Sequence, residues 1–204
     1  MITIVDYNMG NLGSISNMLK KIGAHAEITA DAEKIASASK LILPGVGAFD
    51  AGMDNLARSG LLPVLHQRVL QAGVPTLGIC LGMQLMTRSS DEGARPGLGW
   101  VDAEALRFRP TDAALKVPHM GWNRAMPVRS APLTDGLPDE PRFYFVHSYY
   151  VQCHNADDVL LTTPYGGEFH SAFQHGNVCG VQFHPEKSHK FGMALLRNFA
   201  ERVN

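Results

Sequence analysis

Residues 74–88 read VPTLGICLGMQLMTR. The apolar run Val74–Cys80 predicts a buried strand, and Leu81–Arg88 has the pattern of a helix that starts where the strand stops. Cys80 stands at this junction, inside a G-x-C-x-G sequence. A sharp strand-to-helix turn crowds the backbone on both sides of its central residue, and glycines relieve that crowding. The stretch therefore predicts a strand–helix unit with a candidate nucleophile, a thiol, at its tip.

The same alternation of short apolar runs and helical patterns occurs on the N-terminal side of this unit. Strands are predicted at Ile2–Tyr7, Ala26–Thr29 and Lys40–Leu43, and helices at residues 12–22, 48–58 and 61–72. Strands that alternate with helices indicate parallel βαβ units. We therefore expect an α/β fold, with a mostly parallel central sheet and helices on both of its faces.

The C-terminal half has a different pattern, with strand-like segments and few helices between them. Strands are predicted at Val101–Phe108, Phe143–Cys153, Ser171–Gln174 and Val178–Phe183, before a closing helix at Phe191–Val203. We expect these strands to add antiparallel or mixed pairings to the sheet. The sequence has no internal repeat and no convincing linker, so residues 1–204 are expected to form one domain.

The composition excludes several classes of function. The chain has 204 residues, of which 45% are hydrophobic, and its 18 Lys and Arg nearly match its 19 Asp and Glu. A nucleic-acid-binding protein would normally carry a basic excess. The apolar runs are too short to cross a bilayer, and the N-terminus lacks the basic start of a signal peptide. We therefore expect a cytoplasmic protein.

The three cysteines, Cys80, Cys153 and Cys179, are odd in number and widely spaced. This pattern is typical of neither a disulfide framework nor a zinc site, and a lone cysteine is usually a small buried residue. Cys80 differs because the first turn of a helix stabilises a thiolate and because the Leu81 N–H lies where an oxyanion would form. We expect Cys153 and Cys179 to be structural.

Two further segments carry residues suited to the same chemistry. Pro44–Gly47 (PGVG) follows a predicted strand, and its glycines allow it to present a second N–H to an oxyanion, although a simple turn has the same sequence signature. In Gln182–Lys187 (QFHPEK), His184 follows an apolar strand and Glu186 is close enough to orient its imidazole. A nucleophile, a base and a group that orients the base are the parts of a catalytic triad.

In this order and spacing, the three segments resemble the class I, or triad-type, glutamine amidotransferases. Cys80 and His184 are 184 − 80 = 104 positions apart, which also fits that family. Other stretches resemble one branch of it, the glutaminase subunits of imidazole glycerol phosphate synthases. These stretches are DYNMGNL at 6–12, KVPHMGWN at 116–123, FYFVHSY at 143–149 and the dipeptide Lys187-Ser188. The resemblance covers the chain from Ile2 to the last helix.

The resemblance implies that glutamine is hydrolysed through a γ-glutamyl thioester. Cys80 would attack the side-chain amide, His184 would donate a proton to ammonia and then activate water, and Glu186 would orient His184. The oxyanion-hole residues would be Val46, Gly47 and Leu81, and the glutamine-binding residues would be Gln84, Glu92, His147, Ser148 and Tyr149. Glu92 also has an alternative interpretation as a solvated surface acid.

The resemblance also implies a partner and no metal or organic cofactor. In the branch named above, ammonia passes within a heterodimer to a cyclase subunit. That subunit makes imidazole glycerol phosphate and an aminoimidazole carboxamide ribotide in histidine biosynthesis. The matching interface positions are Pro118, His119, Met120, Gly121, Trp122, Asn123, Tyr144 and Lys187. Trp122 alone would also fit a half-buried structural aromatic residue.

Asn8 departs from the branch, which has glycine at this position of its first turn. Asparagine tolerates a left-handed backbone better than most residues, so we expect the turn to survive.

Three other functions share parts of the pattern. The glutaminase subunit that feeds pyridoxal phosphate synthesis is disfavoured by KVPHMGWN and Lys187. A γ-glutamyl peptide hydrolase would act without a partner, and a thiol stress sensor would not need the His184–Glu186 pair.

Overall fold

A parallel sheet forms the centre of the computed structural model, which describes residues 1–203. The first half contains β1 (Ile2–Val5), α1 (Leu12–Lys21), β2 (Ala26–Thr29), α2 (Ala32–Ala36), β3 (Lys40–Leu43), α3 (Phe49–Ser59), α4 (Leu62–His66), a π-helical turn at Gln67–Gln71, β4 (Thr76–Ile79) and α5 (Leu81–Leu85). Strands β2, β1, β3 and β4 lie side by side in that order, and all of them are parallel. The predicted α/β fold class is confirmed.

The second half adds antiparallel strands to this sheet. Its elements are β5 (Ser89–Ser90), β6 (Ala103–Arg107), β7 (His119–Arg124), β8 (Met126–Pro127), β9 (Arg142–His147), β10 (Tyr149–Cys153), β11 (Val159–Pro164), β12 (Glu168–His175), β13 (Val178–Val181) and α6 (His189–Glu201), with 3₁₀ turns at Ala156–Asp158 and Pro185–Lys187. β13 lies parallel to β4 and antiparallel to β12, which continues the sheet towards β10 and β6. β7 and β9 pair with each other in a separate antiparallel ribbon.

Two apolar clusters cover opposite faces of the central sheet. On one face Ile4 and Ile42 pack with α1 and α6, and on the other Leu41 and Leu43 pack with α3, α4 and α5. Successive residues of a strand point to opposite faces, so a strand covered on both sides needs a continuous apolar sequence such as KLIL in β3. The helices are short, and none within residues 1–203 has the length and apolar character of a membrane-spanning segment.

The observed elements differ from the predicted ones at several places. The predicted strand Phe143–Cys153 is two strands, because the chain leaves the β7–β9 ribbon at Ser148 and enters the main sheet as β10. Helix α5 ends at Leu85, since Arg88 already bonds to β6. α2, β7 and β11 have no counterpart in the prediction. β7 contains Gly121 and polar residues, and β11 is buried on both faces, so neither has a clear apolar alternation.

Asn8 adopts the left-handed conformation expected of it, with φ of 64°. The preceding Asp6 side chain accepts a hydrogen bond of 3.0 Å from the Asn8 N–H, which closes the turn locally. The expectation that asparagine preserves this turn is therefore confirmed.

Three neighbouring parallel strands bring the candidate residues to one edge of the sheet. β3, β4 and β13 lie side by side, so their carboxyl ends open at the same edge, where α/β proteins usually bind ligands. Pro44–Gly47 follows β3, Cys80 follows β4, and Gln182–Glu186 follows β13. The topology thus brings together three segments that are far apart in the sequence.

Candidate active site

Cys80 lies at a strained turn between β4 and α5. Its backbone has φ of 54° and ψ of −110°, a conformation that few residues other than glycine adopt. The positions on either side of this turn are too crowded for any residue larger than glycine. A Cβ on Gly82 would lie 1.9 Å from the Leu43 carbonyl oxygen, and a Cβ on Gly78 would lie 2.7 Å from the Met86 sulfur. The close packing on both sides holds the thiol at the tip of the turn.

His184 and Glu186 form a buried pair. His184 Nδ1 lies 2.7 Å from Glu186 Oε1, and only 3% and 2% of the two side chains are exposed. Burial by itself lowers the pKa of His184, but the interactions with Cys80 and Glu186 outweigh it and raise this pKa to about 9. Nε2 is the ring nitrogen left for Cys80. It makes no well-formed hydrogen bond within residues 1–203, so it is free to exchange a proton with Cys80 or a substrate.

A cavity of about 340 Å³ opens over Cys80 and His184. All the residues predicted from the resemblance to form the oxyanion hole or to bind glutamine line it: Val46, Gly47, Leu81, Gln84, Glu92, His147, Ser148 and Tyr149. Glu186 lies behind His184, outside the lining. Pro118 and Lys187, which belong to the predicted interface, form part of the cavity wall, so the cavity adjoins the surface expected to meet a partner.

The Pro44–Gly47 loop forms one side of the cavity and is anchored from below. The fully buried hydroxyl of Tyr7 donates a hydrogen bond to the Pro44 carbonyl oxygen. Beyond this anchor Val46 is 45% exposed, and Gly47 has φ of +108°. The base of the loop is therefore fixed, while its Val46–Gly47 peptide is exposed to solvent.

Gln182 is a site residue that the sequence pattern did not identify. Its Nε2 approaches the Cys80 sulfur at 3.8 Å, and its Oε1 accepts a hydrogen bond of 3.1 Å from Gln84 Nε2. Gln84 Nε2 also donates to the Tyr149 carbonyl at 3.1 Å. In the sequence, the signal for Gln182 is an amide residue directly after the apolar strand Val178–Val181. In the structure this amide is fully buried and therefore needs polar partners. Glu92 Oε2 accepts from the Phe49 N–H at 2.8 Å.

Both ring nitrogens of His147 are occupied by other protein groups. Nδ1 lies 2.7 Å from the Tyr149 carbonyl oxygen, and Nε2 lies 3.0 Å from Nδ1 of His119. Burial lowers the pKa of His147 to about 3 and that of His119 to about 4. Both rings are therefore neutral at pH 7, and the His147 ring brings no positive charge to the cavity.

Lowering the pH from 7 to 5 is expected to destabilise the fold through these two rings. Their folded-state pKa values lie below the ordinary 6.5. Between about 6.5 and 4 the unfolded chain therefore binds protons that the folded chain does not, and the free energy of unfolding falls as the pH falls. The loss should reach about 2 kcal/mol per histidine at pH 5, measured by urea unfolding. His147→Gln should make the pH dependence shallower, and an unchanged dependence in that variant would contradict the assignment.

The predicted interface residues lie on the β7–β9 ribbon and the turn after His184. Met120 and Trp122 are 62% and 47% exposed, whereas His119 is 3% exposed and points inward. Successive residues of β7 face opposite sides, so His119 supports the ribbon instead of forming its outer surface. The Lys187 Nζ lies 5.8 Å from the centre of the Tyr144 ring.

The other two cysteines differ from Cys80 in their surroundings. Cys153 and Cys179 are buried away from the cavity, and burial raises the pKa of each thiol to about 12. A thiol of this kind stays protonated and unreactive at neutral pH.

The family model for glutamine amidotransferase class-I matches residues 3–203. The chain belongs to the class I glutamine amidotransferases. Solved structures of the same fold include one titled "Structure of PurLQS from Thermotoga maritima", with a TM-score of 0.76 at 18% identity, covering 100% of this chain and 98% of that one. Another is titled "Crystal structure of glutamine amidotransferase", with a TM-score of 0.74 at 20% identity and 98% coverage of both chains.

Curated relatives of this amidotransferase match it along its whole length. "Imidazole glycerol phosphate synthase subunit HisH 2" of Pseudomonas aeruginosa is 52% identical, with 100% of both chains covered. The protein of the same name from Methanococcus maripaludis is 54% identical, again with 100% of both covered. "Imidazole glycerol phosphate synthase subunit HisH" of Leptospira interrogans is 44% identical over 98% of this chain and 99% of the relative.

Proposed function

We propose that this amidotransferase is the glutaminase subunit of an imidazole glycerol phosphate synthase, with residues 1–204 acting as one domain in the cytoplasm. The observation that carries the proposal is the placement of Cys80 beside the buried His184–Glu186 pair at the floor of the 340 Å³ cavity. The full-length relatives from Pseudomonas aeruginosa and Methanococcus maripaludis, named as subunits of that synthase, support the choice among amidotransferases.

The reaction proceeds through a thioester. The Cys80 thiolate attacks the side-chain amide carbon of glutamine, and protonated His184 gives its Nε2 proton to the departing ammonia. The now neutral His184 takes a proton from water, which hydrolyses the γ-glutamyl thioester and releases glutamate. Glu186 holds the ring in position and stabilises its cation. None of these steps requires a metal or an organic cofactor.

Backbone amides stabilise the tetrahedral intermediate. The Leu81 N–H follows the nucleophile directly, and the loop residues Val46 and Gly47 bring the second donor from across the cavity. The loop is anchored at Pro44 and open at Val46, so its outer peptide can change orientation without unpacking the core.

Glutamine is held at its charged end by groups that line the cavity. Glu92 supplies a carboxylate for the substrate ammonium, and Gln84 positions the amide. Because the His147 ring is neutral and already paired, the segment His147–Tyr149 meets the substrate carboxylate mainly through its backbone and the Ser148 hydroxyl.

The partner is a cyclase subunit that forms a heterodimer with this chain. Of the proposed interface residues, Pro118 and Lys187 line the cavity, and Met120, Trp122 and Tyr144 lie on the outer face of the ribbon. Gly121 and Asn123 share the inner face with His119, and the Asn123 amide contacts the His119 ring. Ammonia released at Cys80 then enters the partner without meeting bulk water. The partner uses it to make imidazole glycerol phosphate and an aminoimidazole carboxamide ribotide in histidine biosynthesis.

The isolated chain is expected to be a poor glutaminase that the cyclase, with its nucleotide bound, stimulates by about 10²–10³-fold. One missing oxyanion donor costs roughly that factor, and a partner restores the donor if it binds the active orientation of the Val46–Gly47 peptide more tightly. Steady-state glutamate release by the isolated chain and by the complex measures the effect. Full activity of the isolated chain, unchanged by the partner, would favour a stand-alone hydrolase and refute the proposal.

Lys187→Ala is expected to weaken this stimulation and to leave labelling of Cys80 intact. Lys187 is exposed beside the cavity mouth, and its ammonium lies over the Tyr144 ring. A contact between Lys187 and the partner can therefore shift the turn that carries Glu186. Lys190→Ala is the matched control, because Lys190 makes a similar contact, 5.1 Å from the Phe191 ring, and does not line the cavity. Equal stimulation of both variants by the partner would contradict a role of Lys187 in transmitting the partner's effect.

A further inference from the structure

Ser188 occupies an unusual position at the start of α6. It is the N-cap residue of that helix, yet its hydroxyl makes no capping hydrogen bond. A serine at an N-cap normally accepts a hydrogen bond from an N–H of the first turn and stabilises its helix in this way. The side chain is fully buried, so its hydroxyl must be satisfied by other protein groups.

The Ser188 hydroxyl bridges the candidate base and the interface ribbon. It donates a hydrogen bond of 2.6 Å to the His184 carbonyl oxygen and accepts one of 3.0 Å from the Tyr144 N–H. His184 and Tyr144 are also joined directly, because the His184 N–H donates to the Tyr144 carbonyl at 2.9 Å. Hydrogen bonds in such a chain polarise one another. Both backbone polar groups of His184 are thus linked to Tyr144 in β9, the N–H directly and the carbonyl through the Ser188 hydroxyl.

The other side of Tyr144 belongs to the surface proposed to meet the partner. Tyr144 lies opposite Trp122 across the β7–β9 ribbon, and its ring is covered by the Lys187 ammonium. Trp122 in turn stacks on His189, the residue after Ser188, with ring centres 5.4 Å apart and an angle of 13° between the planes. A shift of the ribbon would therefore act on Ser188 from two sides.

We propose that Ser188 is a positioning residue that holds the backbone of His184 against the partner-facing ribbon and transmits the position of that ribbon to the catalytic base. The inference rests on the proposed glutaminase function and adds to it a residue that touches neither substrate nor reacting atoms. It also explains why this serine does not cap its own helix, since its hydroxyl oxygen accepts from the Tyr144 N–H instead of from an N–H of the first turn.

Removal of the hydroxyl in Ser188→Ala is expected to reduce the kcat of the complex about tenfold, the rate equivalent of one typical hydrogen bond. The KM for glutamine should stay within about twofold, because the groups that hold the substrate are unchanged. Stimulation by the partner should fall with kcat. Ser188→Gly removes the same hydroxyl, and glycine is well tolerated at an N-cap, so it provides a second variant if alanine impairs folding.

A second readout needs neither glutamine nor the partner. The rate at which iodoacetamide alkylates Cys80 depends on how well His184 stabilises the thiolate. In both Ser188 variants, the pH at which this rate is half-maximal should move upward. A structural defect elsewhere would not move this half-maximal pH. If the native complex had no glutaminase activity, the proposed function would be contradicted, but the alkylation readout would still test Ser188.

The matched control is Ser171→Ala. Ser171 is also a fully buried serine, and its hydroxyl accepts a hydrogen bond of 2.8 Å from Thr163. This variant loses a comparable hydrogen bond at a site that does not contact His184, so its kcat and its alkylation profile should match those of the native chain. Folded Ser188 variants with a native alkylation profile and a kcat within about twofold of the native value would overturn the proposal.

Discussion

Cys80→Ala is expected to reduce glutamine hydrolysis by about 10⁴-fold or more while the fold survives. The substitution removes the covalent step and little volume. The backbone at φ of 54° is also strained for any residue with a Cβ, cysteine and alanine alike. Glutamate release by the native complex and by the variant measures the loss, and thermal unfolding of the variant verifies that its structure is retained.

A glutamine-analogue electrophile provides the complementary test of the nucleophile. It should label Cys80 and spare Cys153 and Cys179, because burial raises the pKa of those two thiols to about 12 and keeps them protonated. Cys153→Ala and Cys179→Ala are the controls, and both should retain activity. Substantial hydrolysis by Cys80→Ala would remove the thioester from the mechanism.

The fold could be predicted best where the sequence pattern reflects local structure. Ala26–Thr29 and Lys40–Leu43 are strands with the predicted bounds. KLIL is a buried parallel strand with a short continuous apolar sequence, whereas AEIT is a partly exposed strand at the edge of the sheet. β7 and β11 could not be predicted, because their alternation is obscured by a glycine in one case and by burial on both faces in the other. The division of residues 143–153 at Ser148 depends on pairing with two different sheets, which is a tertiary property.

The residues of the candidate site could likewise be predicted only in part. Cys80, His184 and Glu186 stand in short segments whose chemistry is visible in the sequence, and the structure places them together. The inward direction of His119 and the bridge formed by Ser188 depend on neighbours far along the chain. A serine between Lys187 and His189 has no pattern that distinguishes it from an ordinary helix cap.

His184→Ala is expected to be about as inactive as Cys80→Ala, since members of a triad act as a unit. The interaction with Cys80 and Glu186 raises the pKa of His184, so the resting base carries the proton that departing ammonia requires. Glu186→Gln should retain more activity, by roughly one to two orders of magnitude, because it weakens the orientation and charge of the ring without removing the proton carrier. Glutamate release by the three variants in the complex ranks these losses.

The control for the base is a second histidine–carboxylate pair in the same chain. His175 Nδ1 lies 3.0 Å from Asp158 Oδ1, but the pair is outside the cavity and the His175 side chain is 56% exposed. His175→Ala should therefore leave glutamine hydrolysis unchanged. His147 gives the sharper contrast, because its ring lines the cavity but is neutral and bonded on both nitrogens. If His147 were essential and His184 dispensable, the base would be the wrong histidine, and the role assigned to Glu186 would be wrong with it.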